Sequence, residues 1–437
     1  MTDMEVVEKK FYGWISLSGA ILVYFSFSGV IYYSYGVFLP YLSIEFEFNK
    51  MMLSGPYSTF LLIGGLLGPL AGISVKRYGV RENIVFGNFV AVVGLAGMYL
   101  VRNLWHLYLV FGFLLGVGLA FGYFVPTMTL VNDWFVRKKS MAMSLLLVPG
   151  SIGGFVFPPL ISWLISNVGW RTSWVYLSVI HFTLSVLLAG IIIRNKPEHL
   201  GQYPDGALAS PNANLQNTNL STSHATKADW PAKDALLSPT LWYIIFFGIA
   251  EIVSLSALVI HLVSYLCEVG FSPILASTAL GILVGATAVG KLVYGILGSR
   301  FQARYLASTC VIQSIFGMIM LITTRSLSFI YLGSILCGIG VGGSLVLKPS
   351  IIGEYFGQLH FPKIVGFTLP MVLTIEAASP VLVGFIYDRA GSYIIAFVII
   401  IAILVCGLLC AFIAKPPKPY HQNRRQDGFK TDQRQLK

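Results

Sequence analysis

Charged residues are scarce in this chain. Asp, Glu, Lys and Arg make up 11% of its 437 residues, where a soluble domain carries about 25%. That shortage excludes a water-soluble enzyme of two or three domains, and equally a disordered chain. Cysteine is scarce too. Cys267, Cys310, Cys337, Cys406 and Cys410 lie in or beside apolar runs, odd in number and with no C-x-x-C pair. They read as small buried thiols rather than a disulfide frame or a metal site. There is no G-x-x-x-x-G-K-[ST] loop, which argues against ATP as an energy source, and no H-E-x-x-H or Cys/His cluster. No cofactor, metal or enzymatic centre is expected.

What is abundant is apolar. Hydrophobic residues reach 56%, and the 44 glycines follow no G-x-y period; they suit close helix packing in a membrane. A membrane helix needs about 20 mostly apolar residues. Twelve runs meet that length: 15–39, 53–74, 83–101, 104–131, 140–166 and 173–193, then 240–266, 274–297, 306–324, 328–352, 364–387 and 392–414. The polar start Met1–Lys10 precedes a run too long for a signal peptide, so the first span is expected to persist. Between the two sets, 195–237 is rich in Asn, Ser, Thr, Ala, Pro and Asp, the composition of a flexible linker.

The basic residues, 29 against 18 acidic, suggest topology and not nucleic acid. With the N-terminus in the cytoplasm, 22 Lys and Arg fall on cytoplasmic connections and 5 on outer ones, leaving Lys291 and Lys348 within spans. The positive-inside rule then places both termini in the cytoplasm. The expected layout is a six-helix bundle over 1–194, a cytoplasmic linker over 195–237, a second bundle over 238–414 and a basic tail over 415–437.

The halves repeat. Gly72-x3-Lys76-Arg77-Tyr78 recurs as Gly295-x3-Ser299-Arg300-Phe301, 223 residues later. Trp134-Phe135 recurs as Tyr355-Phe356 at 221, and Pro158 and Gly169 recur as Pro380 and Gly391 at 222. Several matches on one diagonal indicate two related six-helix units, a transporter signature.

On these residues the chain resembles the major facilitator superfamily. Gly72-Ile-Ser-Val-Lys76-Arg77-Tyr-Gly79-Val-Arg81 is similar to its G-x-x-x-D-R-x-G-R loop, with Lys76 where the family has Asp. Three stretches resemble the monocarboxylate transporters and bacterial oxalate–formate exchangers: Phe11-Tyr12-Gly13-Trp14, Trp134-Phe135-Val-Arg137-Lys138-Lys139-Ser-Met-Ala142, and Arg194-Asn-Lys196-Pro197-Glu198 continuing to Pro204-Asp205-Gly206. The resemblance implies an all-α integral membrane fold of twelve helices in two pseudo-symmetric six-helix bundles. It also implies alternating access to a midplane substrate site, and a gating role for Gly72, Lys76, Arg77, Arg81, Arg137 and Arg300.

Ionisable groups at membrane depth are costly, so each is a functional candidate. In the seventh span Glu251, Ser254, His261 and Tyr265 share one helical face. They form either a cavity-lining stripe with Glu251 as a proton or cation site, or a protonated Glu packed between helices. Glu376 lies mid-span between Pro370 and Pro380 and is the second proton-coupling candidate. Lys291, flanked by Thr287 and Tyr294, matches the position at which the resemblance implies a carboxylate-binding arginine. Lys348, beside Pro349, either binds substrate or snorkels to the interface. Tyr32, Tyr33 and Tyr35 in the first span and Tyr123 and Asn132 in the fourth can hydrogen-bond a carboxylate without adding charge.

The expected function is a secondary active transporter of a small organic anion, a monocarboxylate foremost, coupled to protons in the lipid bilayer of the cell's inner membrane. Protonating a buried carboxylate removes its desolvation cost and so links proton occupancy to closure. An amine, a zwitterion or a larger metabolite is the alternative substrate, and a non-transporting receptor the alternative class.

Overall fold

A computed structural model describes residues 11–206, 230–298, 300–357 and 360–417. The start 1–10, the linker centre 207–229, Ser299 of the repeated loop motif and the tail from 418 lie outside the described residues. Among the described residues there are helices and no strands, as expected where every backbone group must be satisfied without water.

The helices long and apolar enough to span are α1 (Gly13–Phe46), α2 (Lys50–Leu66 and Gly68–Tyr78, bent by 49°), α3 (Val80–Leu100), α4 (Leu104–Trp134), α5 (Met141–Val168) and α6 (Trp170–Ile192). They continue as α7 (Pro239–Glu268), α8 (Pro273–Leu297), α9 (Ala303–Thr323), α10 (Leu327–Phe356), α11 (Lys363–Ala390) and α12 (Tyr393–Ile413). These are the twelve expected spans, counting the bent pair as one. The bend in α2 falls at Gly68-Pro69, where Pro lies in the first turn of the second piece; there its missing N–H costs nothing. The first span runs past its expected end, through Pro40, which lies inside the helix Tyr35–Phe46. This stretch restarts after a break at Tyr33, whose φ of −101° and ψ of 0° leave the helical region.

The described residues form two compact units. One gathers residues from 1–34, 59–157 and 163–219, and the other those from 35–58, 158–162 and 220–437. The end of α1 and the start of α2 therefore pack with the C-terminal helices.

In the first unit the core lies where Val75, Val80 and Ile84 of α2–α3, Trp134 at the end of α4 with Phe135 just beyond it, and Leu17 and Tyr24 of α1 meet. In the second, α8 and α10 touch backbone to backbone. A Cβ on Gly338 or Gly342 would collide with the carbonyl oxygen of Leu283 or Thr287. Lipid tails are as apolar as side chains, so such close contact, rather than hydrophobic burial, drives helix association here.

The expected linker is folded at both ends. Residues 197–206 form two short turns, and Ala232–Leu237 is helical. The Trp230 N–H donates to Phe356 O at 3.0 Å, satisfying a carbonyl that α10 leaves open at its C-terminus.

Candidate functional site

Proline decides how α7 and α11 meet. Pro380 has no N–H to offer Glu376 O one turn earlier. That carbonyl instead accepts a bond from Ser256 Oγ of α7 at 3.3 Å. Ser379 Oγ donates to Val253 O at 3.0 Å, and His261 Nε2 lies 2.8 Å from Pro380 O. The same device operates in the first unit. Pro126 leaves Gly122 O open, and Asn88 Nδ2 donates to it at 3.0 Å.

The seventh-span stripe is buried against protein. Glu251 and His261 are fully buried, and Tyr265 nearly so. Glu251 accepts from Ser314 Oγ of α9 at 2.8 and 3.1 Å, and Tyr265 Oη donates to Leu321 O of α9 at 3.1 Å. His261 turns instead toward α11 and α12. Besides Pro380 O it meets Ser54 Oγ at 3.3 Å and Tyr393 Oη at 3.4 Å. Ser254 Oγ is buried with no hydrogen-bond partner among the described residues.

Glu376 is 5% exposed and lies in the segment of α11 that Pro370 and Pro380 bracket. Lys348 is half-buried on α10. Its stem lies so close to Gly248 of α7 that a Cβ there would strike it, and its ammonium is within electrostatic reach of Glu376. Lys291 is half-buried on α8. Its flanking hydroxyls serve the helices themselves: Thr287 Oγ1 donates to Val284 O at 2.7 Å, while Tyr294 Oη meets Thr309 Oγ1 at 3.1 Å and Gln313 Oε1 at 3.0 Å.

In the first unit the Tyr123 ring is tilted against Tyr24 and stacked on Phe27, with centroids 4.3 and 4.7 Å apart, and its hydroxyl meets Ser28 Oγ at 2.7 Å. Tyr32 meets Tyr33 edge-on at 5.1 Å and Phe60 at 6.0 Å. Tyr35 belongs to the second unit, where its buried hydroxyl donates to Leu53 O at 2.6 Å. Asn132 is exposed. Sequence reasoning passed over His181, fully buried on α6, whose Nδ1 lies 2.7 Å from Ser26 Oγ. The rule that flagged Glu251, an ionisable residue near mid-span, would have found it. The neighbouring stretches Ser28–Tyr32, Leu119–Tyr123 and Phe182–Leu188 are all π-helical, a geometry frequent at functional sites.

The three stretches that carry the subfamily resemblance converge in the first unit. Phe11 and Trp14 pack on Phe135 at 5.6 and 4.7 Å. Trp134 Nε1 donates to Arg194 O at 3.1 Å, and Tyr12 N–H donates to Gln202 Oε1 at 3.0 Å. The Asp205 carboxylate accepts from the backbone N–H groups of Val136, Arg137 and Lys138 at 3.0, 2.5 and 3.4 Å.

Of the gating candidates, Lys76, Arg77, Arg137 and Arg300 are exposed. Arg77 lies over the Tyr78 ring at 5.2 Å, and a Cβ on Gly72 would meet open space. Gly79 turns the chain at φ +105°, which favours glycine. Arg81 Nε donates to Gly190 O at 2.7 Å, and its backbone N–H donates to Asn195 Oδ1 at 2.7 Å.

The profile of the Major Facilitator Superfamily matches residues 17–287 and 254–436. The chain is 25% identical over 403 residues to monocarboxylate transporter 13 of Rattus norvegicus, covering 91% of this chain and 87% of that one. It is 25% identical over 420 residues to monocarboxylate transporter 12 of the same species, covering 92% and 84%. Among solved structures it is similar in fold to a bacterial homologue of the human lysosomal transporter Spinster, inward-facing and occupied. That match has a TM-score of 0.71 and 15% identity and covers 93% of this chain and 97% of that one.

Proposed function

Because the chain belongs to the Major Facilitator Superfamily, we propose that it is a proton-coupled secondary transporter of a small organic anion, a monocarboxylate foremost, in the cell membrane with both termini cytoplasmic. The observation that carries this reading is that Lys348 of α10, half-buried, lies within electrostatic reach of Glu376, 5% exposed on α11. A substrate carboxylate beside Lys348 competes with Glu376 for its charge. When it takes that place, Glu376 loses its counter-charge, and binding a proton removes the cost of an isolated buried charge. Anion and proton then travel together. Lys291 offers a second point charge, without the bidentate fork of an arginine. Glu251, bonded to Ser314, is the weaker coupling candidate. Alternating access of the substrate to the two sides follows as for secondary transporters in general.

The monocarboxylate relatives support the substrate class, and the positive-inside bias supports the orientation. Proteoliposomes with an inward proton gradient test the reading. Accumulation of short monocarboxylates is expected, and Lys348→Ala lowers apparent affinity about ten-fold or more, the scale of one lost charge-assisted bond. Glu376→Gln is expected to abolish gradient-driven accumulation while sparing counterflow exchange. No carboxylate flux across a broad panel, with amines transported instead, overturns it.

A further inference from the structure

Apart from the gating role implied for Arg300, the second copy of the loop motif has no part in the transport proposed above. Its Leu297, Arg300 and Phe301 wall a surface recess of about 620 Å³ at the turn from α8 to α9. Leu297, Phe301, Leu306 and Tyr305 form its apolar side, and Arg300 and Gln302 its polar rim. The surroundings are apolar and open: Ile296 is 63% exposed, Phe301 58% and Phe412 59%. On a helix that crosses a bilayer such faces meet acyl chains. Arg304 fixes one wall. Its guanidinium lies over the Tyr305 ring at 4.6 Å, and Nη2 donates to that hydroxyl at 2.8 Å. Its buried Nε–H has no partner among the described residues. Among the described residues no carboxylate lines the recess.

We propose that this recess binds an anionic phospholipid, with acyl chain on Leu297, Phe301 and Leu306 and phosphate on Arg300 and Gln302. A basic groove between membrane helices at the headgroup level is the setting in which proteins select charged lipids. The occupant must be amphipathic, because apolar wall and basic rim are contiguous. A small soluble anion would leave the wall bare.

The repeat supplies a contrast. Arg81 corresponds to Arg304 at the 223-residue spacing, and a recess of about 410 Å³ lies there, lined by Arg81, Glu82, Val85, Phe86 and Phe89. In that copy Arg81 is committed to Gly190 O, and the wall holds a carboxylate, Glu82, which accepts from Asn195 Nδ2 at 2.8 Å. A phosphate there would face a like charge. Of two repeat-related grooves, only the α8–α9 one keeps a rim free of acids. The assignment to the cytoplasmic leaflet, where anionic lipid concentrates, rests on the orientation proposed above; the binding does not.

The test is thermal unfolding of the full chain in neutral detergent, titrated with phosphatidylglycerol, phosphatidylcholine or soluble glycerol phosphate. Phosphatidylglycerol is expected to raise the midpoint saturably and the other two not. Arg300→Gln should weaken the effect about five-fold, the share of one basic residue near an anionic surface. Gln302→Glu should abolish the preference over phosphatidylcholine, and Arg102→Gln, an exposed arginine elsewhere, should leave it intact. Equal shifts from both lipids, a full shift from glycerol phosphate alone, or a response unchanged in both Arg300→Gln and Gln302→Glu overturns the proposal. No transported substrate enters this measurement. A chain that moves no carboxylate yet selects phosphatidylglycerol through Arg300 therefore keeps the lipid site and loses the carboxylate reading, and the reverse result is as clear.

Discussion

Single residues here act by completing backbone groups that helices leave open. Asp205 is one case. It adopts a φ of +59°, a region Asn and Asp tolerate best among non-glycine residues, and its carboxylate collects three consecutive N–H groups ahead of α5. The contact is partly solvated, so Asp205→Ala is expected to cost about 1–2 kcal/mol after discounting for screening. Asp205→Asn keeps an acceptor and should cost less. Thermal unfolding of the two variants in detergent checks the order. Glu251 differs in kind. It is fully buried on Ser314, so Glu251→Gln should leave the proton dependence of uptake unchanged, whereas Glu376→Gln removes it. Loss of coupling in Glu251→Gln alone would reverse the two roles. The residues themselves were legible in the sequence as ionisable groups within apolar runs. Their partners were not, because a helical face does not reveal which neighbour it meets: Glu251 and His261 share a face, yet one reaches α9 and the other α11.

Among the elements, α8 and α10 show what glycine does in a membrane. Gly342 sits against the Thr287 carbonyl and Gly338 against Leu283. Because the contact is backbone to backbone, no side chain can rotate away to make room. Gly342→Ile is expected to destabilise by about 1–3 kcal/mol, the usual cost of overpacking, and size-exclusion with thermal unfolding should show it. A half-buried position with open space around it, Gly72, should accept Ala with almost no change. One proline in each unit works in the opposite sense. Pro126 and Pro380 each release a carbonyl, and a polar side chain from a neighbouring helix takes it, Asn88 in one unit and Ser256 in the other. The prolines were visible in the sequence, but the donors that answer them come from distant helices.

At the scale of the molecule, the second unit includes the stretch Tyr35–Ser58, and its attachment is built from few groups. Asp388 accepts from the N–H groups of Lys50 and Met51, each at 2.9 Å. A carboxylate is unfavourable in the last turn of its own helix α11, but favourable at the N-terminus of α2. Gly384 lets the backbones meet, since a Cβ there would lie 2.7 Å from the Lys50 carbonyl carbon. Asp388→Ala and Gly384→Ala should both loosen this end. A cysteine placed at buried Ser58, in a chain with its native cysteines replaced, should then react several-fold faster with a membrane-impermeant maleimide. Unchanged labelling in both would show that the attachment does not depend on these groups.

The sequence by itself determined the number of spans, the internal repeat and the superfamily, because hydropathy and motif spacing are local properties of the chain. Its low charge content also singled out Lys291, Lys348, Glu251 and Glu376, since few ionisable groups occur at membrane depth. Only the tertiary structure decided their surroundings, such as Ser314 beside Glu251 and Gly248 against the stem of Lys348. It also decided that Tyr35–Ser58 packs with the C-terminal helices, that the linker's ends are folded, and that three separated motifs form one cluster. Those outcomes depend on helix rotation and on which donor reaches which open carbonyl, and hydropathy carries no information about either.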